Sequence, residues 1–161
     1  MKMKDNMIDI FKVLSGDEVL LRLLYYKPKN ALDDPLSADK SNVLLMENKW
    51  DIIDDVLKPI PKTDDLENQT KCRIMFYPGR RLKQPGNYLT ASQYVVFDVL
   101  VHFDFEIDFR MEQICDRLNE LVFNQNITGM GGGKYIDGNQ IRVPEGYIGY
   151  RLTYSFGSVN G

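Results

Sequence analysis

The apolar positions of this chain follow two periods, one near 3.6 residues and one of two, and the segments that carry them define the predicted elements. Val19, Leu20, Leu23 and Leu24 form one helical stripe between Ser15 and Tyr25, which Pro28 closes. A shorter helical pattern runs from about Asn6 to Leu14, with Gly16 as punctuation. Ser15-Gly16-Asp17-Glu18 has the spacing of a capping box, so the second helix is expected to start at Ser15. Met111, Ile114, Cys115, Leu118, Leu121 and Val122 share one face of a helix over Asp108 to Asn124, with Asp108 as its N-cap. Trp50, Ile53 and Leu57 predict a further short helix.

Strict alternation marks the strands. Cys72, Ile74 and Phe76 alternate with Arg73, Met75 and Tyr77, and Pro78-Gly79 reads as the end of that strand. Val95, Phe97, Val99, Val101 and Phe103 alternate within Tyr94 to Phe103, making a long antiparallel hairpin with the first strand. Ile148, Tyr150, Leu152, Tyr154 and Phe156 do the same within the last strand, and a short strand is possible over Gln140 to Val143. The fold class is α+β: an antiparallel sheet of about four strands, one amphipathic helix on a face, N-terminal helices and a long irregular segment. Residues 1–161 read as a single domain, divided into N-terminal helices (1–26), a loop-rich insertion (27–70) and a sheet-helix core (71–161). The other sheet face carries Tyr94, Asp98, His102, Arg151 and Thr153, a mixture suited to solvent or a protein neighbour.

Composition narrows the chemistry. The 161 residues include 20 Lys and Arg, 23 Asp and Glu and one His, for a net charge of −3, which does not favour a general electrostatic nucleic-acid binder. One His and two Cys are too few for a Cys/His metal centre or a disulfide framework, and Cys72 and Cys115 read as small buried hydrophobes. No run is long and apolar enough for a signal peptide or a membrane span, so no membrane role is expected. The acidic pairs Asp33-Asp34, Asp54-Asp55 and Asp64-Asp65 read as a solvated face rather than as metal ligands.

The motifs that suggest catalysis fail on detail. Gly129 to Lys134 has Thr128 where a phosphate loop needs glycine and Tyr135 where it needs Ser or Thr, so a flexible exit loop is expected. His102 has Asp98 and Asp104 nearby in sequence but no evident nucleophile. Asp104, Glu106 and Asp108 suit the start of a helix. No catalytic, metal or cofactor-binding residues are assigned, and the chain is not expected to be an enzyme. The concentrated basic feature is Gly79-Arg80-Arg81-Leu82-Lys83, placed on the hairpin loop with Pro85, Gly86, Asn87 and Tyr88. Arg80, Arg81, Lys83 and Tyr88 are the candidate protein contact.

The order of elements, through Ser15 to Tyr26, Tyr94 to Phe123 and the final Gly149-Tyr150-Arg151-Leu152-Thr153-Tyr154-Ser155-Phe156, resembles the tail terminators, or tail-completion and head-to-tail joining proteins, of long-tailed bacteriophages. The resemblance covers about half of the chain as pattern, and the segment from Lys27 to Gln69 has no equivalent in it. It implies a homo-oligomeric ring, usually a hexamer, seated on the last ring of tail-tube protein. Such a ring stops tube growth, offers a surface to the neck or head-completion protein and lets viral DNA pass without specific binding. It implies a place in the virion, at the head-tail interface, after assembly in the host cytoplasm, and brings no cofactor. The rival positions in the same machine are a neighbouring neck or connector ring and a tail-tube component. The rival of another class is a small nucleic-acid-binding module using Arg80, Arg81 and Lys83, with Tyr77 and Tyr88 for stacking.

Overall fold

Four α-helices and five strands make up the regular structure of the computed structural model, which describes residues 3–84, 87–125, 127 and 133–157, with 80–84 and 87–92 described by their backbone. The helices are α1 (Met3–Ser15), α2 (Glu18–Tyr25), α3 (Lys49–Val56) and α4 (Arg110–Val122). The strands are β1 (Leu57–Lys58), β2 (Cys72–Gln84), β3 (Asn87–His102), β4 (Gly133–Gln140) and β5 (Tyr147–Gly157). They form one sheet in the order β1-β2-β3-β5-β4, in which β1 runs parallel to β2 and every other pair is antiparallel. The α+β class is therefore the observed one, with one strand more than expected.

The period-two pattern sets the inner face. Register pairs Ile74 with Val99 and Phe76 with Phe97 across β2 and β3, and Val99 with Tyr150 and Phe97 with Leu152 across β3 and β5. Against this face pack Ile10 and Leu14 of α1, Leu20 and Leu24 of α2, and Ile114, Leu118 and Val122 of α4. Burial of this apolar surface is the main force holding the layers together. Phe11, Phe76, Phe97, Tyr154 and Tyr135 continue the packing as a run of ring contacts from α1 to β4, with centroids 5.6 to 6.3 Å apart.

Several boundaries differ from the sequence reading. Ser15 ends α1, and the N-cap of α2 is Asp17, whose carboxylate accepts from the Leu20 N–H at 2.8 Å; the turn at Gly16 puts Asp17, not Ser15, in the extended conformation a cap requires. Asp108 does not cap α4. It sits in a 3₁₀ turn and binds Arg110, while the Glu106 carboxylate accepts the Met111 N–H at 2.8 Å. In α3 the buried residues are Ile52, Ile53 and Val56, and Trp50 faces out. Gln140 to Val143 is not a strand of its own. The strand next to β5 is Gly133–Gln140, a polar, glycine-bearing edge whose period is masked by a register shift between Tyr135 and Asp137.

The segment 27–70 is built into the fold. Val43, Ile53, Val56 and Leu57 join the main core, and Leu66 crosses to the opposite sheet face, where it packs with Met75, Leu100 and Tyr147. The second face is thus partly covered rather than open. Ile141 and Val143 press on the same face at Gly149, where an added Cβ would lie 2.2 Å from Val143 Cγ1, so only glycine fits there.

The acidic pairs are also more than a solvated face. Asp65 takes a two-pronged ion pair from Arg73 at 2.6 and 2.8 Å. The Asp55 carboxylate meets Arg73 at 3.1 Å and Lys71 at 2.8 Å, and the Arg73 guanidinium also donates to the carbonyls of Asp55 and Lys62. Arg73 is fully buried, so its five hydrogen bonds to Asp55, Lys62 and Asp65 fasten the excursion to β2.

Candidate interaction surfaces

The hairpin of β2 and β3 is the longest feature of the sheet, with strands of 13 and 16 residues. Its inner half is covered on both sides in the sheet plane. Its outer half is not: β1 reaches only to Met75, and β5 reaches to Gly157 opposite Ser92. Beyond those positions, β2 and β3 pair with each other alone among the described residues, through contacts such as Lys83 with Ala91 and Gln84 with Asn87. The result is a two-stranded arm.

Arg80, Arg81 and Lys83 belong to β2 and Tyr88 to β3, so the basic cluster lies on strands and not in a loop. Pro78-Gly79 does not end the strand. Pro78 pairs with Val95, where β2 is the sheet edge and proline is tolerated, and a register shift before Arg81 absorbs Gly79 and Arg80 as a bulge. Pro85 and Gly86 lie outside the described residues. Between Pro78 and Gln93 the sequence holds three basic residues and no acidic one.

A second feature lies at the other side of the sheet, between α4 and the β4–β5 edge. It is a groove of about 610 Å³. Tyr135, Tyr150, Leu152 and Tyr154 form the sheet wall, and Met111, Cys115, Asn119 and Phe123 form the helix wall. The Tyr154 hydroxyl donates to Asn119 Oδ1 at 2.7 Å, which ties the two walls together. Burial pushes the Cys115 thiol up to about 12, so at neutral pH it is an apolar wall atom and not a nucleophile. Glu112 and Asp116 are exposed on the rim, and neither has an ion pair among the described residues. An aromatic floor with an acidic rim accepts apolar side chains and the stems and heads of Arg or Lys.

Glu106 adjoins this rim. Burial first, and then its hydrogen bond with Glu112, push its carboxyl up to about 7, against the opposing pull of the Met111 N–H. A carboxyl raised on folding binds its proton more tightly in the native state. Its contribution is therefore complete below about pH 4.5 and fades as pH rises through about 7. Glu106→Gln is expected to flatten the fall in Tm between those values, as measured by thermal denaturation across that range. An unchanged slope would show that Glu106 is ionised in the fold.

The remaining sequence candidates do not converge. Asp98 is buried and engaged by Arg151 at 2.7 Å and by the Tyr77 hydroxyl, with burial and Asp98 together pushing Tyr77 up to about 12. It sits four strand residues, about 13 Å, from His102 and cannot orient it. His102 Nδ1 accepts from the Asp104 N–H at 3.1 Å and is 3.8 Å from the Asp104 carboxylate. Thr128 to Gly132 fall outside the described residues, while Gly133 and Lys134 open β4. Among the described residues no helix is long and apolar enough to cross a membrane, and no group of three or more His, Cys, Asp or Glu could hold a metal ion. The groove escaped the sequence reading because its walls come from α4, β4 and β5. The alternation of Tyr150, Leu152 and Tyr154 was the one available signal.

Fold and surfaces thus define an α+β protein with a basic arm and an acidic, aromatic groove. A family model described as YomW matches residues 17–156. The chain is 36% identical, over an alignment 168 positions long, to the SPbeta prophage-derived uncharacterized protein YomW of Bacillus subtilis (strain 168), with 96% of each chain covered. The chain belongs to the YomW family. No solved structure matches it.

Proposed function

We propose that this chain is a phage structural protein that forms a ring at the head-proximal end of a tail tube. There it ends tube growth and presents a surface for head joining, with DNA passing through the lumen. The observation that carries the reading is the two-stranded basic arm, whose outer strand edges are unpaired among the described residues, as suits contacts between subunits. The prophage origin of the Bacillus subtilis relative supports a phage-associated role. In this reading the chain acts by assembly and not by catalysis, its partners are further copies of itself, the tube protein and a neck protein, and its place is the virion.

Particles made without the protein are expected to show overlong tails or tails unjoined to heads in electron microscopy. Tails of normal length joined to heads would overturn the proposal. A position one ring away, in the neck or in the tube itself, would appear in the same images as a missing ring with tail length unchanged. The arm's three basic residues also favour a second reading, binding of nucleic-acid phosphate, which predicts salt-dependent DNA binding by the isolated chain.

A further inference from the structure

We infer that the groove between α4 and the β4–β5 edge is the seat of the hairpin arm of a second copy of this chain. The inference rests on the ring reading only in expecting copies to associate. Charge complementarity carries it. The arm has three basic residues and no acidic one from Pro78 to Gln93, while Glu112 and Asp116 stand on the groove rim with no ion pair among the described residues.

The apolar chemistry matches as well. The arm sequence interleaves Leu82, Tyr88 and Leu89 with its basic residues, and the groove offers Tyr135, Tyr150 and Tyr154 beneath its acidic rim. A ring face and a carboxylate together hold an Arg or Lys better than either alone. Arm and groove belong to different parts of the sheet, the arm to β2 and β3 and the groove to the β4 edge. Each copy can then give its arm and receive another, a head-to-tail contact that closes into a ring or runs on as a filament.

The test uses the full-length chain. Glu112→Lys with Asp116→Lys is expected to weaken self-association about tenfold, measured by sedimentation. Arg81→Glu with Lys83→Glu does the same, and the chain carrying all four substitutions regains association. Independently, Lys83→Cys combined with Phe123→Cys and Cys115→Ser is expected to give a ladder of multimers with a short bismaleimide. Association that ignores all four charges and yields no ladder overturns the docking and leaves the ring reading intact. A monomer with no ladder also overturns it, and the particle images then decide the ring reading separately. A cross-link confined to the monomer mass shows that the arm covers its own groove, which overturns the proposal too.

Discussion

Replacing Arg110 with methionine is expected to destabilise the fold by about 3–5 kcal/mol, the range for breaking a buried ion pair from one side. Arg110 is fully buried at the start of α4, and Asp108, its partner at 2.8 Å, has a side chain only 4% exposed. The same guanidinium donates to the carbonyls of Leu23 and Tyr26 at 2.5 and 2.6 Å, closing the C-terminal end of α2, and lies 5.5 Å from the centre of the Phe105 ring. Methionine fills much of the volume but leaves one buried carboxylate and two carbonyls without their donor. A loss on this scale lowers Tm by about 10 °C in a domain of this size, measured by circular dichroism. Adding Asp108→Leu should recover part of the loss, because the unpaired charge goes with it. A single variant within 1 kcal/mol of the parent, about 3 °C, would refute the account.

Arg73→Met is expected to cost less, about 2–3 kcal/mol, because its carboxylate partners can rehydrate. Arg73 itself is 0% exposed, but the side chains of Asp65 and Asp55 are 30% and 42% exposed and can turn to water when the guanidinium is gone. The acid response separates this from a plain packing defect. The Arg73 hydrogen bond holds the Asp65 carboxyl well below the usual carboxylate range. A carboxyl depressed on folding contributes stability above its unfolded value, near pH 4, and loses it as pH falls through the folded value. The parent should therefore lose stability to urea more steeply than Arg73→Met as pH drops from about 4 to 2. Parallel acid profiles would show that Asp65 gains nothing from Arg73.

Both arginines mark where sequence reading stops. The inner face of β2, β3 and β5 and the stripe of α4 were legible because burial imposes a period on apolar residues, and Ile74, Phe97, Leu118 and Leu152 obey it. Arg73 and Arg110 broke no period. Arg73 fell on the polar face of an alternating strand and Arg110 at a helix start, both ordinary places for an exposed charge. What buries them is the partner each finds at long range, and pairing across 18 or 87 residues leaves no mark in local sequence. The far sheet face was misread for the same reason, since Leu66 and Val143 reach it from segments without periodicity.

The interaction surfaces divide similarly. The basic cluster of Arg80, Arg81 and Lys83 was visible as composition. Its setting was not, because Pro78-Gly79 is strong turn chemistry that the fold overrides with a bulge at a strand edge. β4 was missed because an edge strand with glycine and a register shift shows no alternation to find.

The ties between the N-terminal helices and α4 also bear on how the chain folds as it is made. α1 and α2 are synthesised before α4, yet the carbonyls of Leu23 and Tyr26 wait for Arg110, 87 and 84 residues on, and the Asp17 carboxylate at the start of α2 waits for Arg117, 100 residues later. Contacts of such long sequence separation form slowly. The nascent chain therefore carries α2 with part of its apolar face uncovered until α4 has been made, and a truncated product ending before α4 should be a substrate for chaperones and proteases.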